Sequence, residues 1–451
     1  MKLFDQIRKL ASDRVWFIPL VSALFAGVVA ALLGQVTVPT DSTLATYLWP
    51  GDTAAAADML SFIASSMLTV LTTVISMTLI VLQVASGQFS QQLLRDYIRS
   101  NAVKGIFSVF TAVFVYAIIL LRSVEAEGVE TPPQIGVTLA MVLVLAALAT
   151  FVWYVARVVA MVRVDSIIES VTRSVETLYD RHQEKWSEKV DAPEVPENAR
   201  VLRANDAGFI RIILLERGAR WAKEHDACFA VAVAPGDTVV TGQALAWVWG
   251  RHGELDDDLE LPGTVVHIDY ERASDADIRL GVHQLSDIAV RAMSPGTNDP
   301  TTAVHAVNQA ISILRMIAEE PMQNEAIFDD DGELLAFAPV PSTTDFIDEI
   351  VGPVRRYSGA EPVVLIQLLR LLAVVEEGAV EADVAEVVAN ERRRIIEQAE
   401  QQMPHSDDAA WVEKMADIEA IRSNLRVRGP KMDLVDSQEG KEGKDSNAES
   451  E

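Results

Sequence analysis

The sequence predicts an α-helical membrane domain of four transmembrane helices with both termini cytoplasmic, followed by a cytoplasmic α+β domain built from a small β module and a helical module. Three observations predict it. The 451 residues carry a formal net charge of −27 yet are 50% hydrophobic, a pairing that divides the chain between two solvents. The apolar excess lies before residue 163, and most acidic residues follow it. Basic and acidic loops then alternate between the apolar runs, as orientation by the positive-inside rule requires.

The transmembrane domain is expected over residues 1–163, with spans at about 15–33, 60–84, 103–121 and 135–162. Lys2, Arg8, Lys9 and Arg14 lead into the first run, which is long for the core of a cleaved signal and is followed by three more, so an uncleaved first span is expected. Ala23, Gly27, Ala31 and Gly34 place small residues along it and allow close helix contact. The next loop holds Asp41, Asp52 and Asp58 without Lys or Arg and reads as the outer side. Arg95, Arg99 and Lys104 follow the second span, Glu125, Glu127 and Glu130 the third, and Arg157, Arg163 and Arg173 the fourth. This alternation gives four spans with both termini in the cytoplasm and makes the lipid bilayer the chain's first partner.

The second span carries a stripe. On a helix turning about 100° per residue, Ser61, Ser65, Thr69, Thr72, Ser76, Gln83, Ser86 and Ser90 fall within a band of roughly 100°. Polar side chains inside a membrane face helical partners or water, so these positions are pore-lining or helix-packing residues. Ionisable residues are missing from the cores of the four spans, which argues against a proton-coupled pump.

A helical stalk is expected over 164–190, because neither Gly nor Pro occurs between Ala149 and Pro193 and Val164, Ile168, Val171, Val175 and Leu178 recur at steps of four and three. That seam serves either a subunit contact or packing on the chain's own soluble domain. Residues 199–269 change to short β-like runs at 208–215, 229–233, 238–240, 245–248 and 263–268, a small β domain. Within it, 235–248 has the turn-strand-turn-strand pattern of lipoyl-type barrel-sandwich modules but no lysine in the turn to take a prosthetic group. The acidic loop 254–260 lacks the spacing of a calcium loop and reads as solvated. Residues 270–430 form the helical cytoplasmic domain, with elements at 276–293, 300–319, 344–357, 362–377, 380–403 and 409–427 and a hairpin around 329–334. Residues 431–451 are a disordered acidic tail.

The second motif is the corner at 294–302. Asp299 as N-cap and Pro300 at the first helical position start a helix. Ser294, Gly296, Asn298, Asp299 and Thr302 are the ligand-binding candidates, offering backbone N–H groups and hydroxyls to a small ion or anion, against the plainer reading of a structural helix–turn–helix corner. His283 and Asp287 are spaced i,i+4 as a helical metal pair would be, a weak signal taken alone, so no metal is assigned.

The block Asp287-Ile288-Ala289 with Ser294-Pro295-Gly296-Thr297-Asn298-Asp299-Pro300-Thr301-Thr302-Ala303, together with Leu82-Gln83 and Gln88-Phe89-Ser90, resembles a family of predicted bacterial multi-pass membrane proteins catalogued as domain of unknown function 2254. The resemblance runs from the first span to near Val427, and Gln91-Gln92 stands where family members commonly carry Pro-Arg. The resemblance implies an architecture and, with it, a bacterial inner membrane as the location, but no activity.

Composition and motifs narrow the function. The acidity excludes a phosphate-backbone binder, so no nucleic acid is expected. The lone Cys228 excludes an intrachain disulfide and a cysteine-ligated cluster. Nucleophile-elbow, zinc-protease, P-loop and dinucleotide patterns are all missing, so neither an enzyme nor a cofactor is expected. The first expectation is a homo-oligomeric channel-like conduit with a cytoplasmic regulatory domain. The alternative is a non-conducting membrane sensor or scaffold whose cytoplasmic domain binds a ligand or a protein partner.

Overall fold

The computed structural model describes residues 16–36, 47–88, 101–125, 131–186, 188–255, 259–273, 276–403 and 405–416. Lys2, Arg8, Lys9, Arg14, Asp41, Phe89, Ser90, Gln91, Gln92, Arg95, Arg99, Glu127, Glu130, the middle of the acidic loop and the expected tail lie outside the described residues.

The N-terminal part is helical: α1 (Phe17–Leu33), α2 (Thr53–Gln88), α3 (Asn101–Val124) and α4 (Gln134–Val162). The apolar stretches of α2, α3 and α4 are 31, 23 and 25 residues long, each enough to cross a membrane. Even the shortest spans about 35 Å at 1.5 Å per residue. The apolar α1 is shorter, at 17 residues. The second helix begins seven residues before the expected span, because 53–59 continue an alanine-rich helix without a breaker.

In this bundle α3 is central and packs against α1, α2 and α4. Small residues set the α1 contact: a Cβ on Gly27 would lie 2.8 Å from Ile119, and one on Gly34 would strike Ser123. The buried seam of α1 runs through Ala23, Gly27 and Ala30. The expected Ala31 is exposed instead, since steps of four and three keep a face that successive fours leave. Two hydroxyls fasten α4: Tyr116 Oη donates to the Gly136 carbonyl at 2.9 Å, and Thr78 Oγ1 and Tyr154 Oη are 2.6 Å apart.

The stalk helix α5 (Val164–Lys185) follows α4 after one residue, Arg163, whose extended backbone breaks what the sequence suggested was a continuous helix. Its seam is covered by the chain itself. Ile168, Val171 and Val175 are buried against α7 (Ile278–Ala292) and α8 (Pro300–Glu319). The approach is so close that a Cβ on Gly281 would collide with the Val175 side chain. Of the two readings of that seam, intrachain packing is what this structure contains.

The β elements are β1 (Arg200–Arg203), β2 (Gly208–Ile213), β3 (Ala227–Val231), β4 (Thr238–Val239), β5 (Ala244–Gly250), β6 (Val266–Asp269), β7 (Glu325–Phe328) and β8 (Leu334–Ala338). They form a five-stranded sheet, β1-β5-β3-β8-β7, and a three-stranded sheet, β4-β2-β6. The segment 235–248 passes from one sheet to the other through turns at Gly236 and Gly242, both with positive φ. The hairpin around 329–334 joins the larger sheet because β8 pairs in parallel with β3. Residue 269 therefore does not divide strands from helices. Helix α6 (Leu215–Glu224) is an addition: where the sequence read a strand ending at 215, Leu215, Ala219 and Ala222 form a buried helical face over β3 and β8.

The helical module comprises α7, α8, α9 (Thr343–Ser358), α10 (Pro362–Gly378), α11 (Val384–Gln402) and α12 (Ser406–Met415). Helix α10 is the most apolar of them and lies in the middle of the shared core, flanked by α8 and α11. The last expected helix is described only to Met415.

Candidate functional site

The stripe on α2 lies directly opposite the face with which α2 joins the bundle. Leu60, Ile63, Ala64, Met67 and Val74 are buried, whereas Ser61, Ser65, Thr69, Thr72, Ser76 and Gln83 are exposed. At about 100° per residue the two sets are roughly 180° apart. The hydroxyls close on their own helix: Ser65 donates to the Ser61 carbonyl at 3.1 Å, Thr69 to Ser65 at 2.9 Å and Thr72 to Thr69 at 2.8 Å. Such bonds let a hydroxyl face lie in hydrocarbon at small cost, and they leave the oxygens as acceptors for a neighbour.

The corner at 294–302 joins α7 to α8. Asp299 caps α8, accepting from the Thr302 N–H at 3.1 Å and the Thr302 hydroxyl at 2.6 Å; these bonds, the hydroxyl foremost, hold its carboxyl below the usual range. The Thr297 and Asn298 N–H groups donate to the Ser294 carbonyl, and the Asp299 N–H to the Ala292 carbonyl. Asn298 sits in the left-handed region at φ 45°, which Asn tolerates better than most residues. Gly296 is exposed. The corner thus spends these backbone donors on itself. His305, one turn into α8, meets Asp165 of α5 at 3.1 Å, and α7, the helix that leads into the corner, touches α2.

The i,i+4 pair His283–Asp287 is drawn into a larger network. His283 Nδ1 lies 2.7 Å from Glu349, whose other partner is Arg272, itself 2.8 Å from the buried Asp277. The bond to Glu349 raises His283 above its ordinary value. Among the described residues, no group of three His, Cys, Asp or Glu side chains is placed to hold a metal.

Sequence reasoning missed a cavity of about 290 Å³ between the last turns of α5, strand β2 and the segment after β8. Leu178, Ile212, Ile278 and Met322 line it, with His182, Lys185, Glu216 and Glu325 at its polar end. Burial pushes the Glu325 carboxyl up to about 7 and His182 down. Lys185 is paired with Glu216, whose carboxyl that bond lowers. Nothing in the sequence ties 182 to 325; the bonds from Tyr179 and His182 of α5 to the Glu320 and Gln323 carbonyls bring them together.

With these sites described, comparison with known proteins decides the family. The family model described as "Predicted membrane protein (DUF2254)" matches residues 12–374. The chain belongs to this family. The DUF2254 match takes in α1 to α9 and ends within α10, short of the expected limit near Val427, so it includes the stripe, the corner and the cavity. An uncharacterized protein of Mycobacterium tuberculosis (strain CDC 1551 / Oshkosh) is 27% identical over 412 residues, covering 88% of this chain and 78% of the relative. One of Mycobacterium bovis (strain ATCC BAA-935 / AF2122/97) matches with the same identity and coverage. No solved structure matches.

Proposed function

We propose that this protein is a non-enzymatic, channel-like conduit of the bacterial inner membrane, assembled as a homo-oligomer around α2. The observation that carries the reading is the uncovered stripe: Ser61, Ser65, Thr69, Thr72 and Ser76 are all exposed on the side of α2 away from its buried face. Three helices of one chain packed around α3 leave little room for an aqueous path, whereas copies joined through α2 bring several hydroxyl faces around one axis. In this reading α1 is the fourth span, both termini are cytoplasmic, and the conducted solute is a small ion or anion. The cytoplasmic domain regulates, since α5 follows α4 after a single residue and carries that domain's core on its seam.

The test is conductance. Purified full-length protein in planar bilayers should pass current, and Thr72→Leu or Ser76→Leu should reduce it at least tenfold without changing membrane insertion. Silence in chloride, phosphate, sodium and potassium salts at all potentials, or unaltered current in both variants, would refute a stripe-lined conduit. The sensor reading draws on a different feature, the cavity on α5.

A further inference from the structure

We propose that the cavity at the end of α5 is a binding site for a small amphipathic amine, its ammonium held between Glu325 and His182 and its apolar body against Leu178, Ile212, Ile278 and Met322. This goes beyond the conduit reading and does not depend on it.

At the polar end, where Lys185 is taken by Glu216, His182 and Glu325 turn two acceptors toward each other. His182 Nε2 lies 2.9 Å from the Gln323 carbonyl, which can only accept, so Nε2 carries the proton and the neutral ring presents the Nδ1 lone pair. That lone pair faces Glu325 Oε1 at 3.7 Å. Among the described residues, no donor reaches the Glu325 carboxyl within hydrogen-bond distance. The Glu325 side chain keeps 26% of its exposure, so its carboxylate is partly withdrawn from water without gaining a donor of the protein in exchange. An ammonium group supplies three donors and the opposite charge.

The other charges around Glu325 leave this preference in place. Lys185 is held by Glu216 and lies over the Trp186 ring at 4.6 Å. Arg181, also on α5, is exposed to water, which screens it. The remaining wall is apolar, which calls for an organic cation rather than a metal ion. Size agrees: about 290 Å³ lies at the lower end of the range for small-molecule pockets. The wall also includes the last two turns of α5, so an occupant sits on the helix that follows the membrane helix α4.

A proton signature follows from the same groups. Burial holds Glu325 up to about 7, so below neutrality the carboxyl is neutral and offers the amine no charge. Alkylammonium ions stay protonated to about pH 10. Binding therefore releases a proton near neutrality and tightens as pH rises through about 7.

The test uses full-length protein in lipid nanodiscs and phosphate buffer, with isoamylamine as probe and isovalerate and isoamyl alcohol as anionic and neutral controls of equal bulk. Isoamylamine is expected to raise the melting temperature in proportion to the logarithm of its concentration, more at pH 8 than at pH 6. The two controls are expected to have no such effect. Glu325→Gln keeps shape and removes charge, and should weaken the amine response at least tenfold. Leu178→Trp fills the cavity and should abolish it, which guards against a folding defect in the first variant. An equal response to isovalerate or the alcohol, an unchanged response in either variant, or no response to isoamylamine would overturn the proposal.

Discussion

Helices α2 and α5 both carry a stripe visible in the sequence, and the folded chain treats the two in opposite ways. The apolar seam of α5 is covered by α7 and α8, with Ile168 and Val175 at 1% and 2% exposure. The hydroxyl stripe of α2 is left bare. The solvent explains the difference. In water an apolar seam is driven to be covered, and the nearest surface is the chain's own core. In lipid an apolar face needs no cover, so the bundle packs α2 by its aliphatic side and the polar side is left to whatever lies outside the chain. A covered stripe therefore reports folding, while a bare polar stripe in a membrane helix is a face left open, the one on which the proposed assembly rests.

The largest expected effect lies on the covered side. Ile168→Ala should destabilise the C-terminal core by about 2–5 kcal/mol, read by urea unfolding; a loss as small as that of a surface substitution would mean that the seam is not a core contact. Glu325 gives a pH effect on the same domain. Its folded value near 7 exceeds the ordinary 4.5, so the folded state binds the extra proton between those pH values. Stability should fall as pH rises through that window and level off above it, by on the order of 1–3 kcal/mol. Glu325→Gln should flatten that slope. His182, lowered by burial, acts in the opposite direction as pH drops below 6.5, so the slope is cleanest as the difference between variant and parent.

Smaller still is the corner. Asp299→Ala removes the N-cap of α8 and should cost about 0.5–2 kcal/mol in thermal unfolding, with protein still folded. Because the folded carboxyl is depressed, this contribution should be present above about pH 4 and vanish as pH falls through the lowered value. The smallest effect belongs to the bare stripe: Thr69→Val should change the stability of a single copy by no more than about 0.5 kcal/mol, since its hydroxyl bonds only its own helix. A large loss of monomer stability would place Thr69 in an intrachain contact and erase the contrast with α5.

The helical elements were legible because their signals are local. The cap pair Asp299-Pro300 fixed the start of α8, and the four-three spacing of Ile168, Val171 and Val175 named the seam of α5. The stripe on α2 was equally legible, though not that it would face away from the bundle, since periodicity says which residues share a side and not what that side meets. Arg163 looked like helix interior, and its break has no Gly or Pro to announce it. Helix α6 was hidden by Ile212, Ile213 and Leu214, which carry the apolar run of β2 up to the helix start. The cavity was illegible in principle: His182, Ile212 and Glu325 are remote in sequence, and they stand on a helix and on strands of two different sheets.

The central claim, that α2 meets a second copy through its bare face, is tested most directly by disulfide cross-linking in native membranes. The only cysteine, Cys228, is buried with its thiol pushed up to about 12, so it stays silent under mild oxidation. Single Ser65→Cys and Thr72→Cys chains should form covalent dimers, while Met67→Cys and Val74→Cys, buried in the bundle, should not. Stripe variants that remain monomeric while fully oxidisable by a small lipid-soluble disulfide, or dimers from the buried positions alone, would contradict the account.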